Sequence, residues 1–476
     1  MKHFSRGAAL IAGIMIFLLA SCSGKENLLL SVPADNLEAV GLLRMDRMME
    51  EAGCTRNPDG SWQPTRAITS LSERHVTPAL VGSLLPMAGA ADLSECAVWL
   101  TSENTPWILA RVADSSRLEQ TLSAQGFAAT PDGDFTAYSS PSNPMKWFVK
   151  GKYLWGSTGS NASVRTLSAQ IEKAEKAPAS KIAGVAEFIS GDGIARIAIA
   201  NPLPGEGWIR AAADTDGSQL TIAVSHTDSD GKVTAVKGLK KINRSFLDFV
   251  PHDFPFMAAI GVGGDFNWDV VAKAGGLIFG FQVYGTIEAI MPILKSVDGT
   301  VAMAFLPGSD DPFDTDGASM RFALFAEMKK DAARSALTKL RSYAGRFGLA
   351  VSQGPGDSFS VAFGESVYHA SYSSGYFIIS NFRAEPLTRH ATMAEEGLAS
   401  VSLRLSAATL GAVIGRNPTA SPLQVAGSLS GEEANVSLRF TDSDRPFIEA
   451  LTTILAVEIN VAQIIAAPAV DICEER

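Results

Sequence analysis

The apolar positions fall into short runs and periodic stripes, and their order is written twice. Ala39 to Leu43 and Phe256 to Val262 are apolar runs of strand length. Each follows a Val-Pro-x-Asp opening, Val32-Pro33-Ala34-Asp35 and Val250-Pro251-His252-Asp253. Each run leads into a helix-like segment ending in Ala-Gly, at Ala52-Gly53 and Ala274-Gly275. Strand patterns recur at Trp107 to Ala113 and Arg321 to Ala326, followed by helical patterns over Ser116 to Gln125 and Asp331 to Gly345. Paired strands come next. Trp147 to Val149 and Tyr153 to Trp155 flank Lys150-Gly151-Lys152, and Val367 to Tyr372 and Tyr376 to Ile379 flank Ser373-Ser374-Gly375. Glycine in both turns supplies the positive φ of a tight hairpin.

Each copy closes alike. Gln219 to Ser225 precedes Thr227-Asp228-Ser229-Asp230, and Ala434 to Phe440 precedes Thr441-Asp442-Ser443-Asp444. These identical tetrads lie 214 positions apart, and the opening prolines 218. Such constancy points to a tandem duplication. Val233, Val236, Leu239, Ile242, Phe246 and Phe249 form one apolar stripe, which predicts a terminal helix. A longer terminal helix is expected at Phe447 to Ala467. The tetrads would then cap those helices through Asp or Ser oxygens. The fold class expected is α+β: two tandem similar domains, residues 32–249 and 250–476, each a mainly antiparallel sheet with helices packed on one side.

The N-terminus reads differently. Lys2 and Arg6 precede an uncharged apolar run from Gly7 to Ala20, too short to span a bilayer. It ends in Leu19-Ala20-Ser21-Cys22, which resembles the lipobox of bacterial lipoproteins. Residues 1–21 are thus expected to be a lipoprotein signal peptide, Cys22 the lipidated residue and 22–31 a tether. Two or more acyl chains would hold the mature chain stably at a membrane. Ser23 in place of Asp disfavours inner-membrane retention, by resemblance to the enteric sorting rule. The expected localisation is the outer membrane, facing the periplasm or the cell surface.

Removing residues 1–21 takes the formal charge from −10 to −12. An acidic exported chain argues against a nucleic-acid partner. Cys54, Cys96 and Cys473 allow at most one intramolecular bridge among them, and both Cys54–Cys96 and three free thiols remain open. No CxxC spacing supports a metal or redox site.

The lipobox, the short tether, Val32-Pro33-Ala34-Asp35, the apolar strand and the helix ending in Ala52-Gly53 together resemble a family of uncharacterised Bacteroidota lipoproteins. Members often open with a Val/Ile-Pro-Ala-Asp segment. This chain departs from that pattern at Asn36, where a small residue is usual. The resemblance implies localisation and architecture, and no activity.

The catalytic patterns are thin. His75, His226, His252, His369 and His390 form no HExxH, and no GxSxG is present. Ser229-Asp230-Gly231-Lys232 matches Ser-x-x-Lys without its companion motifs. Gly261-Val262-Gly263-Gly264 lacks the spacing of a phosphate cradle. Asp214-Thr215-Asp216-Gly217 and Asp314-Thr315-Asp316-Gly317 lack the ladder of a calcium loop and read as turns. Ala274 to Leu294 and Leu451 to Val470 are apolar but carry polar interruptions, and read as helices packed on a sheet. No cofactor and no metal are expected.

The candidate binding surface is aromatic: Trp147, Tyr153 and Trp155 on one hairpin, and Tyr368, Tyr372 and Tyr376 on its counterpart. Exposed, they could stack on a glycan or anchor a protein; packed, they are core. Lys237, Lys240, Lys241 and Arg244 would put a basic face on the first terminal helix, open to anionic lipid. The expectation is a non-enzymatic cell-envelope binding or scaffold protein. A carrier or chaperone for an apolar ligand such as lipid, and a hydrolase with a nonstandard site, stand as alternatives.

Overall fold

The computed structural model describes residues 28–73, 84–102, 105–201, 206–266, 268, 291, 293–306, 321–364, 366–393, 397–407 and 421–454. The export signal with Cys22, Cys473, His75, Asp314 to Gly317, Ala274-Gly275 and residues 455–470 lie outside them. Within the described residues the protein is mostly antiparallel sheet with some helices. The chain divides into two compact units, residues 28–234 with 442–454, and residues 235–441.

In the first unit the strands are β1 (Leu37–Leu43), β2 (Thr55–Arg56), β3 (Trp62–Gln63), β4 (Ala91–Thr101), β5 (Pro106–Val112) and β6 (Ala128–Asp132). They continue as β7 (Phe135–Ser140), β8 (Asn143–Lys150), β9 (Tyr153–Ser157), β10 (Ala195–Ala200), β11 (Glu206–Asp216) and β12 (Gln219–Asp228). Its helices are α1 (Met45–Glu51), α2 (Arg66–Glu73), α3 (Ser115–Ala124), α4 (Val164–Lys176) and α5 (Ala186–Ile189). The sheet runs β12-β11-β10-β1-β4-β5-β9-β8-β7-β6, every neighbour antiparallel. β2 and β3 form a separate small hairpin.

The second unit holds β13 (Phe256–Val262), β14 (Gly299–Leu306), β15 (Arg321–Glu327), α6 (Lys330–Arg346), β16 (Ala350–Gln353) and β17 (Phe359–Phe363). β18 (Ser366–Ser373), β19 (Tyr376–Ser380), β20 (Ala399–Leu405), β21 (Leu423–Ser430) and β22 (Glu433–Phe440) follow. Its order is β22-β21-β20-β13-β14-β15-β19-β18-β17-β16, again antiparallel throughout. Set β13 against β1 and the two orders agree strand for strand.

Local chemistry explains the ends of these elements. Asp114 caps α3 by accepting from the Arg117 amide at 3.0 Å, and Ser163 and Thr166 form a capping box on α4. α3 and α6 end alike, in a cap residue, a glycine at positive φ and an apolar residue: Gln125-Gly126-Phe127 and Phe347-Gly348-Leu349. The Phe127 and Leu349 amides turn back to the carbonyls of Leu122 and Ala344, both at 3.0 Å. The β18–β19 hairpin turns on Ser374 and Gly375, both at positive φ, so the Ser373–Tyr376 pair closes a two-residue loop.

The central strands of the first unit's sheet are buried on both faces, whereas in the second unit one face is closed and the other is covered only in part. In the first unit Leu42, Ala97, Trp99, Trp107, Leu109, Phe148 and Trp155 pack under residues of α4 and α5, including Leu167 and Ile189. Their strand neighbours Val98, Ile108 and Leu154 point the other way and are also buried. In the second unit Met257, Ala304, Phe325 and Ile378 face one cluster; Ile260, Val301, Phe377 and Phe359 face another, with Ala333 and Leu337 of α6.

The first terminal helix is not formed. Residues 233–243 are extended or turned, and only Arg244–Phe249 makes a short 3-10 helix. Gly238 takes a positive φ, which breaks the helical run. The extended backbone pairs instead: the Lys240 amide donates to the Gly261 carbonyl at 3.0 Å, and the Ile242 amide to the Gly397 carbonyl at 3.0 Å. Ile242, Phe246 and Phe249 enter the second unit's core. Residues 235–249, read from sequence as the end of the first copy, therefore pack with the second unit, and residues 442–454 with the first.

The tetrads consequently do not cap helices. Thr227 and Asp228 end β12, and Asp228 accepts from the amides of Asp230 and Lys232, both at 3.0 Å, as a turn. In the second, Ser443 accepts from the Arg445 amide at 3.2 Å, and the helical residues begin later, at 447.

Candidate functional site

The aromatic candidates do not form a surface. Trp147 stands opposite Gly156, and Phe148 opposite Trp155, across β8–β9. The pleat therefore sends Trp147 and Trp155 to opposite faces, and each face is buried. Trp147 fills space left by Gly156, where a Cβ would run into its ring. Trp155 packs edge-on against Phe135 at 5.9 Å between centroids. Tyr153 is half-buried, with its ring 5.5 Å from Trp155.

The counterpart hairpin divides in the same way. Tyr376 is buried, touches Phe246 and Phe325, and donates to the Asn243 carbonyl at 2.9 Å. Burial pushes its phenol above the ordinary tyrosine range. Tyr372 is half-buried in the other cluster, and Tyr368 lies half-buried beside Phe322 at 6.0 Å. The hydrophobic payload of these rings serves packing.

The basic face disperses with the helix that was to carry it. Lys240 pairs with Asp298, and Arg244 donates to the Met393 carbonyl. What this segment does build is a cleft of about 270 Å³ within the second unit, lined by Lys241, Ile242, Asn243, Arg244, Met393, Gly397 and Ser400. Asn243 is engaged on several sides. Its side-chain amide donates to Glu327 at 2.9 Å, and its backbone amide to Thr300 Oγ1 at 2.7 Å. Its side-chain oxygen accepts from the Ser245 amide at 3.1 Å and hydroxyl at 2.9 Å. These groups tie the extended segment to β14, β15 and the short helix.

The remaining candidates also have local roles. His226 bonds Thr234 Oγ1 at 2.8 Å and Asn201 Nδ2 at 3.0 Å. His369 is held below the ordinary imidazole range by burial first and by the nearby charge of Arg383 second. Ser229 to Lys232 form the turn after β12. Gly261 lets the Lys240 backbone lie against β13, since a Cβ there would run into the Lys240 carbonyl. Asp216-Gly217 begins the β11–β12 turn, and Asp214 pairs with Arg47 at 2.9 Å. Cys54 and Cys96 are buried thiols and are not bridged to each other. Among the described residues no group of three His, Cys, Asp or Glu side chains is placed to hold a metal ion. Nor is any described helix long and apolar enough to cross a membrane.

One charged pair escaped the sequence reading. Arg111 of β5 donates to Glu95 of β4 at 3.2 Å, both buried. Burial raises the Glu95 carboxyl above its ordinary range, and the bond and charge of Arg111 oppose that rise. Nothing in the local pattern marks it, because sixteen residues and a hairpin separate the partners.

No family model matches the chain, and no curated protein matches it. The solved structures it resembles include three crystal forms of TP0453. Identity is 8–9%, coverage is 42–44% of this chain and 81–82% of that one, and TM-scores are 0.28–0.30.

Proposed function

We propose that the protein is a lipid-anchored lipoprotein of the cell envelope, held at the outer membrane through Cys22, and that it works as a non-enzymatic binding or scaffold protein. The carrying observation is the order of features in the N-terminal sequence: Lys2 and Arg6, an apolar run, then Leu19-Ala20-Ser21-Cys22. Of the expected tether, residues 22–31, Leu28 and Leu29 are buried in the first unit's core and so belong to the folded part. We further propose that residues 32–249 and 250–476 descend from one duplicated α+β module of the kind found in uncharacterised Bacteroidota lipoproteins. The strand orders of the two units, alike through ten strands each among the described residues, support that descent.

The test is fractionation and protease shaving of intact cells, with Cys22→Ala beside the wild type. The anchored reading expects wild type in the outer membrane and the variant released. A variant that fractionates as wild type does would overturn it. Shaving of the intact cell separates surface display, where glycan and protein ligands are tried next, from a periplasmic orientation.

Carriage of an apolar ligand is the second reading. It is favoured by the second unit, where Met303 and Leu324 stand directly opposite each other and are each 40% exposed. Half-buried Ala258, Phe305, Phe322 and Val401 share their face. Native mass spectrometry of the purified protein would detect co-purifying lipid if this reading holds.

A further inference from the structure

We propose that α6, with the aromatic corner at its C-terminal end, docks on an anionic lipid surface. The proposal rests on the membrane-anchored reading and adds a second point of contact to it.

The chain is acidic, yet α6 carries Lys330, Arg334, Lys339, Arg341 and Arg346 against Asp331 alone. Its buried side is small and apolar: Ala333, Ala336, Leu337 and Ala344. Arg334 is engaged by Asp357 at 2.7 Å, and Arg341 lies over the Phe359 ring. Lys339, Tyr343 and Arg346 follow one another at helical spacing, four and three residues apart, so they form one stripe. All three are exposed.

That stripe runs into exposed aromatic surface. Phe347, the C-cap of α6, is 80% exposed, and Tyr343 is 44% exposed. Phe363, at the end of β17, is 62% exposed. It belongs to the same corner, because β17 ends beside the start of β16 (Ala362 faces Ala350), the point into which α6 leads. Leaving two phenylalanine rings this open is costly in water.

The first unit provides an internal control. At the matching positions, its α3 ends in Gln125, and β7 ends in Ser140. Phe127, the counterpart of half-buried Leu349, is buried. α3 carries one cation, Arg117, and one acid, Glu119. The basic and aromatic character of this corner is therefore absent from its counterpart in the first unit and is no by-product of the shared architecture.

Cations beside rings at a surface match anionic headgroups above an acyl boundary. The charges are drawn to the headgroups, and the rings sit at the interface. An anionic membrane supplies both the negative charge for the stripe and an apolar boundary for the Phe347 and Phe363 rings, whereas the net negative charge of a second copy supplies only the first.

The test uses the mature chain, residues 22–476, with Cys22→Ala so that no acyl chain contributes. Co-sedimentation is measured with vesicles of phosphatidylethanolamine and phosphatidylglycerol, and with vesicles of phosphatidylcholine alone. Binding is expected only to the anionic vesicles and should weaken as salt is raised. Lys339→Glu with Arg346→Glu, and separately Phe347→Ser with Phe363→Ser, should each weaken it by about tenfold or more. All four side chains are exposed, so an unchanged melting temperature shows that the fold is kept. Lys173→Glu with Lys176→Glu, at the exposed end of α4, should leave binding unaltered. Absent binding, equal binding to both vesicle types, or unchanged binding by the α6 variants would overturn the proposal. So would vesicle-free self-association abolished by the same substitutions, which would assign the surface to a second copy. Failure of the Cys22→Ala release experiment would count against the anchor alone.

Discussion

Arg111 and Glu95 face each other at 3.2 Å with 10% and 8% of their side-chain surfaces exposed, a buried charged pair between two strands of the first unit's sheet. The attraction between such partners roughly offsets their desolvation, so the pair adds little net stability. Removing one partner strands the other. Arg111→Met should therefore cost about 3–5 kcal/mol, and Glu95→Leu with Arg111→Met markedly less than the sum of the single changes. A double-mutant cycle by urea unfolding measures this; additive losses would show that the two groups are not coupled.

Glu95 also gives a pH signature. Burial, the larger influence, raises its folded carboxyl above the ordinary glutamate range, against the opposing pull of Arg111. The folded state then holds a proton that the unfolded state has released. The associated stability is present at low pH and is lost as pH rises past the ordinary glutamate range and through the raised one. Glu95→Gln cannot lose it. The cost of that substitution should shrink between pH 4 and pH 7, in roughly the window of glutamate titration. A cost that grows instead would mean that Arg111 prevails over burial.

Much of the fold was legible because local pattern and tertiary demand agreed. The strand read at Phe256 to Val262 is β13, and α3 and α6 begin and end within a residue or so of their apolar periodicity. The misreadings share one cause. The stripe from Val233 to Phe249 has helical spacing, but Gly238 breaks the helical run, and the carbonyls of Gly261 and Gly397 accept the amides of an extended segment instead. The aromatic hairpins look amphipathic only if one face of the sheet meets water. With both faces covered, the same alternation buries Trp147 on one side and Trp155 on the other. Glu95–Arg111 depends on which strands become neighbours, and a single chain read locally does not contain that.

Tyr376 tests the displaced segment. Its hydroxyl donates to the Asn243 carbonyl at 2.9 Å from a fully buried ring. Tyr376→Phe keeps the ring and leaves that carbonyl without the phenol. The expected loss is about 1–3 kcal/mol, the range for a buried group deprived of its partner. Hydrogen exchange should rise selectively at the Lys240 and Ile242 amides. A uniform rise across the unit would indicate that the bond does not pin this segment.

Gly261 should be intolerant where Gly264 is not. A Cβ at Gly261 would run into the Lys240 carbonyl, while one at Gly264 would meet nothing within 4 Å. Gly261→Ala must push the paired segment off β13 and should cost about 1–3 kcal/mol, as overpacking does. Gly264→Ala should stay within about 0.5 kcal/mol, as open surface positions do. Thermal unfolding of the two variants side by side decides it, and equal melting temperatures would refute the close approach.

Cys54 should behave as a closed thiol. It is buried, and burial, the leading influence, raises its thiol above the ordinary range despite bonds from Thr65. Since the thiolate is the reactive form, both access and ionisation slow its alkylation. Iodoacetamide at neutral pH should leave Cys54 unmodified in the native protein and modify it once urea unfolds the chain, as read by peptide mass spectrometry. Labelling in the native state at the rate of a free thiol would mean that the α1–β2 junction opens readily. Recovery of Cys54 and Cys96 in a single disulfide-linked peptide would mean that export oxidises two cysteines that stand here as thiols.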